Sequence, residues 1–168
     1  MRLTTRSRYG TRMLIDLALH CNSGPVNIGD IATRQKISKK YLEKLISELR
    51  KAGYITSKRG PHGGHSLAVA PEEITIGDVV RALEESCALT ECAECVSPVC
   101  GVCSQAGECV TQTIWIEASK VMFEKLDSYR LSDLINNSQT IVSESKRARR
   151  SSELSPGAKE SERPADID

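Results

Sequence analysis

The chain has 168 residues, with 23 Lys and Arg against 22 Asp and Glu, and few aromatics: one Trp, one Phe and four Tyr. That length suits one ordinary domain, or a small domain with appendages, and its core must come from Leu, Ile, Val and Ala. No run of about 18 apolar residues exists, which argues against a membrane span, and the start MRLTTRSRYG lacks the apolar stretch of a secretory signal, so the expected location is the cytoplasm.

Residues 6–21 read as a helix, with Tyr9, Met13, Leu14, Leu17 and Ala18 on one face. The breakers Gly24 and Pro25 end it. A short helix over 27–36 follows, capped by Asn27, with Ile28, Ile31 and Ala32 inward. A third helix starts at the cap Ser38, carries Tyr41, Leu42, Leu45, Ile46 and Leu49 as its stripe, and stops at Gly53. Two helices across a tight turn, the second basic outside, form a helix-turn-helix. The period then switches to two. Runs at 54–58 and 65–69 flank the Gly/Pro loop KRGPHGGH, a hairpin that makes the unit a winged helix. TIGDVVRALEE (75–85) is a further helix, with Thr75 as cap. The segment 87–109 reads as a loop. A long helix over 110–128 carries Trp115, Ala118, Met122, Leu126 and Tyr129 in one stripe with Ile114 and Val121 beside it, a face wide enough for a second subunit. RLSDLINN follows, with Ser132 as its expected cap. Residues 138–168 hold almost no large apolar side chain and are expected to be disordered. The expected organisation is a winged-helix domain (1–86), a cysteine-rich loop (87–109), a dimerisation helix with a short terminal helix (110–137) and a tail (138–168). The fold class is mainly α with one small β-hairpin.

Charge points the same way. Residues 1–65 carry 13 Lys and Arg against 4 Asp and Glu, while residues 66–168 carry 10 against 18. A basic half on a near-neutral chain suits a polyanion partner, here double-stranded DNA. The recognition helix presents Ser38, Lys39, Lys40, Tyr41, Glu43 and Lys44 at its N-terminal end, where base edges are read. Lysines can meet phosphates or guanine, and Glu43 can accept from cytosine N4. Tyr41 is expected to serve partly as core. Arg59, before the turn at Gly60, can project from the wing into a narrow minor groove. His62 and His65, also in the wing, are expected to touch the DNA backbone or nothing. No nucleophile–base pair, carboxylate pair or phosphate-binding loop is evident, so neither an enzyme nor a small-molecule substrate is expected.

The remaining signal is the cysteines. Five of seven fall in CAECVSPVCGVCSQAGEC, as C92-x2-C95-x4-C100-x2-C103-x5-C109. Clustered thiols in a chain without a secretory signal suit a soft metal better than disulfides. Two CxxC pairs suggest zinc, though the gap between them is short. Cys95, Cys100 and Cys103 match a ferredoxin-type iron–sulfur spacing.

Four stretches together, MRLTTRSRYGTRMLIDLAL, ISKKYLEKLISELRKAGYITSKRGPHGG, TIGDVVRALEE and CVTQTIW, resemble the Rrf2 family of winged-helix transcription regulators over roughly residues 1–137. The resemblance implies a homodimer held by the long helix, a palindromic promoter site, and Arg59 in the minor groove. It implies a cluster-binding C-x7-C-x5-C pattern, which Cys95, Cys103 and Cys109 match. Gln112 stands where some cluster-bearing members have a histidine, and Arg8 where others have an acidic residue. The fourth ligand is therefore open between Cys92 and Cys100, and so is the choice of 2Fe–2S or 4Fe–4S. The expectation is a DNA-binding regulator modulated by an iron–sulfur cluster. A zinc-bound or cluster-free repressor of the same family is the alternative, and an electron-transfer or carrier protein the alternative of another class.

Overall fold

The first four helices each begin on a side chain that accepts from an amide the first turn leaves open. In the computed structural model, which describes residues 4–21, 24–94, 105 and 108–138, α1 (Thr5–His20) starts at Thr4, whose hydroxyl accepts from the Arg6 amide at 3.0 Å. Asn27 accepts from the Gly29 amide at 2.7 Å and opens α2 (Ile28–Gln35). Ser38 accepts from the Tyr41 amide and opens α3 (Lys39–Lys51). Between α2 and α3 the chain turns through Lys36 in the left-handed region, φ 56°.

At the end of α3, Gly53 has φ 85°, the Gly53 amide donates to the Arg50 carbonyl and the Tyr54 amide to the Leu49 carbonyl. That pair of bonds is a Schellman stop. It turns the chain directly into the antiparallel hairpin of β1 (Ile55–Lys58) and β2 (Gly64–Leu67), in the register Ile55 opposite Leu67 and Lys58 opposite Gly64. A third segment joins this sheet. Val26 and His65 exchange backbone hydrogen bonds at 2.8 and 2.9 Å, an isolated bridge that ties the wing to the start of the helix-turn-helix. The close pass explains Gly64, where a Cβ would sit 2.5 Å from the Val26 carbonyl oxygen.

A reciprocal capping box between Thr75 and Asp78 opens α4 (Ile76–Leu83). The segment after α4 contains a short helix, α5 (Glu91–Glu94), where the sequence suggested only loop. The last long element is α6 (Val110–Asp127), and residues 131–138 are helical again. That last turn is not capped by Ser132, which lies inside the helix. Arg130 precedes it, bridging to Thr75 while its amide donates to the Asp133 carboxylate at 3.0 Å.

The core is aliphatic, as the composition required. Met13, Leu14 and Leu17 of α1 meet Leu42, Leu45 and Leu49 of α3, all without solvent exposure, and Ile74, Val79, Leu83 and Leu131 close the cluster. Gly10 lets α1 lie against α4, since a Cβ there would fall 2.2 Å from a Leu83 methyl. Of the tail expected over 138–168, Ser138 is instead the last described residue of that helix, and the rest, from 139 onward, lies outside the described residues. Among the described residues, no helix is long and apolar enough to cross a membrane.

Candidate nucleic-acid interface and cysteine loop

The period that buries Leu42, Leu45, Ile46 and Leu49 puts the expected recognition side chains on the opposite face of α3. Ser38, Lys39, Lys40, Glu43 and Lys44 are all exposed. None of the three lysines, nor Glu43, makes an ion pair among the described residues, so their charges are not spent within the fold. Tyr41 differs. It is half-buried, stacks edge-on against Tyr9 at 6.0 Å between ring centroids, and its hydroxyl lies 3.1 Å from that of Thr5. It therefore braces α3 against α1 while its edge stays accessible.

The wing places Arg59 and Gly60 at its exposed tip, with φ 119° at Gly60. Gly63 is forced by the tightness of the loop, where a Cβ would lie 2.3 Å from the Lys58 carbonyl oxygen. His62 is exposed beside them. His65 is not a free contact residue. Its Nδ1 lies 2.8 Å from the Ser57 hydroxyl across the hairpin. Burial, and then the nearby Arg50 charge, lower its pKa and favour the neutral ring.

A polar clamp under the helix-turn-helix carried no clear signal in the sequence. Asp16 of α1 is 2% exposed and faces Arg34 and Gln35 at the end of α2. The Arg34 guanidinium donates to both carboxylate oxygens, at 2.6 and 3.0 Å, and the Gln35 amide donates at 2.8 Å. Burial would raise the Asp16 carboxyl, but these donors outweigh it and hold the pKa below the ordinary value. Arg12 extends the clamp to the Gln35 carbonyl. On the other side Arg6 pairs with Glu48 at 2.8 Å, fixing α1 to α3. The angle between recognition helix and scaffold is thus set by charge-assisted bonds as well as by packing.

Of the expected metal ligands, Cys95, Cys100 and Cys103 lie outside the described residues. Cys92 sits in α5 with its sulfur 3.3 Å from the Thr90 hydroxyl, and Cys109 is the N-cap residue of α6 with its sulfur 3.1 Å from the Thr111 hydroxyl. The Thr111 hydroxyl, and then the amides of the first turn, lower the Cys109 pKa and favour its thiolate. The two ends of the loop are fastened together. The Gln112 side-chain amide, on a residue only 4% exposed, donates to the Cys92 carbonyl at 2.6 Å. One segment earlier, the Leu89 amide donates to the Ser119 hydroxyl at 3.0 Å. Cys87, the remaining half-buried thiol, has its pKa raised by burial.

These bonds also show which face of α6 is turned inward. Gln112, Ser119 and Phe123 are buried, whereas Ile114, Trp115 and Val121 are 57%, 42% and 63% exposed. Of the apolar stripe read from the sequence, Trp115 and Tyr129 face outward with Ile114 and Val121 beside them, while Ala118, Met122 and Leu126 are half-buried; Gln112 and Ser119 face the loop. At its C-terminal end α6 is held to α4. Arg81 grips both Asp127 oxygens at 2.8 and 2.6 Å and lies 4.7 Å from the Phe123 ring centre. The Thr75 hydroxyl reaches the same carboxylate at 3.3 Å. A cavity of about 360 Å³ opens between α1, α4 and α6, lined by Thr5, Arg8, Val80 and Leu126 among others.

Residues 3–137 match the family described as Rrf2, iron-dependent transcriptional regulator. Protein rrf2 of Nitratidesulfovibrio vulgaris (strain Hildenborough) is 57% identical over 137 residues, covering 82% of this chain and 89% of the relative. The transcriptional regulator IscR of Aliivibrio salmonicida is 41% identical, covering 80% and 77%. Among solved structures, IscR of T. potens superposes with a TM-score of 0.64 at 36% identity, covering 82% of this chain and 88% of that one. CymR of B. subtilis, the global cysteine regulator, gives 0.64 at 34%, covering 82% and 98%. A winged helix with an open basic recognition face, matched in sequence and in fold over four-fifths of its length, places this chain in the Rrf2 family of transcription regulators.

Proposed function

We propose that this Rrf2-family regulator binds promoter DNA as a homodimer and that an iron–sulfur cluster held by its cysteine loop sets the DNA affinity. The observation that carries the proposal is the continuous path from loop to reading head. Gln112 and Ser119 fasten the loop to α6, Arg81 and Asp127 fasten α6 to α4, and α4 packs against α1 and α3.

The residues present fit such a group. Cys109 stands at a helix N-terminus, where the Thr111 hydroxyl and the first-turn amides lower its pKa, the direction that favours the thiolate a metal requires. The spacing assigns Cys95 and Cys103 as its companions. Bound there, the cluster supplies a centre whose charge and integrity respond to oxidants, nitric oxide or iron supply. The chain's own part is to hold the loop in one of two arrangements and pass the difference to α3. Lys39, Lys40 and Lys44 bind phosphate or guanine, Ser38, Tyr41 and Glu43 contribute to base readout, and Arg59 with Gly60 enters the minor groove. The exposed face of α6, with Ile114, Trp115 and Val121, forms the dimer interface.

The test is anaerobic purification, with visible absorption and iron and acid-labile sulfide counts, followed by DNA binding of the loaded and stripped forms across a salt series. Matched iron and sulfide, a steep negative salt slope and different affinities for the two forms are expected. A colourless protein with zinc or no metal would leave the DNA-binding half alone. Equal affinities with and without cluster would refute the sensing role.

A further inference from the structure

We infer that the crevice between α1 and the turn into α3 seats one phosphate of the DNA backbone, held by Lys36 and by the paired hydroxyls of Thr5 and Tyr41. This rests on the DNA-binding part of the reading above and extends it to a contact that α1 shares with the recognition helix.

The backbone supplies the first observation. Among the described residues, Lys36 is the one non-glycine with positive φ, at φ 56° and ψ 46°. A glycine takes that left-handed geometry without strain, whereas the Cβ of a lysine crowds the following carbonyl. What a glycine lacks is the charge. The Lys36 side chain is exposed and makes no ion pair among the described residues.

The crevice itself supplies the second. It measures about 300 Å³ and is lined by Thr5, Tyr9, Lys36, Ile37, Ser38 and Tyr41, with no carboxylate among them. The Thr5 and Tyr41 hydroxyls lie 3.1 Å apart, and neither has another hydrogen bond among the described residues. Two hydroxyls carry two protons, and the bond between them uses one, so one O–H is left to donate outward. An ammonium and a spare O–H suit an anion that can only accept. A phosphodiester is such a group. Arg8 and Arg12 add to the positive field, their guanidinium carbons 5.0 and 5.6 Å from the centre of the Tyr9 ring. Neither pairs with a carboxylate among the described residues.

Place decides the occupant. Ser38, on the wall of the crevice, is the cap of α3 and precedes Lys39 and Lys40. A duplex whose major groove receives the start of α3 brings its flanking phosphates alongside that cap. The Thr5–Tyr41 bridge joins α1 to α3, so one phosphate seated on it fixes both helices against the strand. The Tyr41 hydroxyl then serves the DNA backbone, and its ring edge stays with the bases.

The experiment uses the full chain, prepared anaerobically, and a duplex of about 30 base pairs selected by the parent chain from a random pool. Fluorescence anisotropy across a salt series compares the parent with K36G, K36R, Y41F and T5V, and thermal melts confirm folding. K36G is expected to bind roughly tenfold more weakly, with a salt slope flatter by about one unit. It should melt no lower than the parent, because a glycine now holds the left-handed position. K36R should keep the parental slope. Y41F and T5V should each weaken binding by roughly three- to tenfold. The deciding arm replaces single phosphates of the duplex by neutral methylphosphonates. One position should weaken binding of the parent and leave K36G unaffected, a coupling that a structural role for Lys36 does not produce. Parental affinity and slope for K36G would overturn the inference, and so would methylphosphonate effects equal in parent and K36G at every position. Inorganic phosphate at constant ionic strength tests the other source of the same chemistry. A rise in melting temperature confined to the parent, beside unchanged duplex binding by K36G, would make the crevice a free-anion site and overturn its assignment to DNA. A parent chain that binds no duplex fails the DNA-binding reading itself, an outcome distinct from the others.

Discussion

Replacing Asp16 with Asn keeps the shape of the side chain but removes the charge on which the clamp beneath the helix-turn-helix turns. The carboxylate is 2% exposed and accepts from Arg34 and Gln35. Breaking a buried ion pair from one side costs about 3–5 kcal/mol, because the partner is left buried and uncompensated. Here the Arg34 side chain is 33% exposed and can recover water, so the expected loss is nearer 2 kcal/mol. With a urea dependence of about 1–3 kcal/mol per molar for a protein of this size, the unfolding midpoint falls by roughly 1 M. The assay is equilibrium urea unfolding of the parent, D16N and the exposed-site control E72Q. The sign with pH is fixed as well. The folded pKa of Asp16 is depressed, so its contribution is complete above the unfolded value of about 3.9 and disappears as pH falls through the folded value. The gap between parent and D16N should therefore close in acid. A D16N midpoint within 0.2 M of the parent, or a gap unchanged below about pH 3, would refute the claim that this carboxylate is ionised and paired inside the fold.

Three further outcomes are expected. Arg59→Ala should weaken promoter binding and flatten the salt dependence by about one unit of slope without moving the unfolding midpoint, since Arg59 is exposed at the wing tip; fluorescence anisotropy across a salt series reads both. Val121→Asp, on the 63%-exposed outer face of α6, should shift sedimentation from dimer to monomer with little change in helix content. His65 has a folded pKa below its ordinary value through burial and the nearby Arg50, so its contribution to stability is complete above about pH 6.5 and is lost as pH falls below that. His65→Asn should therefore have a flatter stability profile than the parent between about pH 7 and 5.

The reading head was legible in the sequence because its signals are local. Caps at Asn27, Ser38 and Thr75 and the stop at Gly53 each depend on a few neighbouring residues, and the 3.6-residue period alone separates Leu42 and Leu45 from Lys40 and Lys44. What escaped depends on pairs distant in the chain. Val26 joins the wing across 39 residues, and nothing in PVNI announces a strand. Ser132 looked like a cap, but the bridge from Arg130 to Thr75 sets the start of that helix. The inward face of α6 is the instructive case. The width of the apolar face around Trp115 and Val121 suggested a second subunit, and those two residues are exposed in the single chain; what the sequence did not announce is that Gln112 and Ser119 are buried, each bonded to the backbone of the segment before α6.

If the cluster acts on DNA affinity, the effect must cross from α6 to α4, and the polar crossing the structure offers is the Arg81–Asp127 fork. Around it the contacts are close. Phe123 lies under Arg81, and at Gly77 a Cβ would sit 1.8 Å from the Asp127 carboxylate, so α4 and α6 cannot slide past one another while the fork is closed. Asp127→Asn breaks the charge pair and leaves the packing. Both partners are about two-fifths exposed, so the cost in stability should stay below about 1 kcal/mol. The cost in coupling is a different quantity. Effector linkage is typically worth about 1–3 kcal/mol, or 5- to 150-fold in affinity, and residues along the path modulate it by about 0.5–2 kcal/mol. The ratio of promoter affinities for cluster-loaded and stripped D127N should therefore collapse toward unity while each form still binds DNA. Arg81→Lys, which keeps the charge but loses the two-pronged grip, should fall between D127N and the parent. A D127N protein with the parental ratio would mean that the signal reaches the recognition helices another way, through the partner subunit across the outer face of α6, and the intrachain path would have to be abandoned.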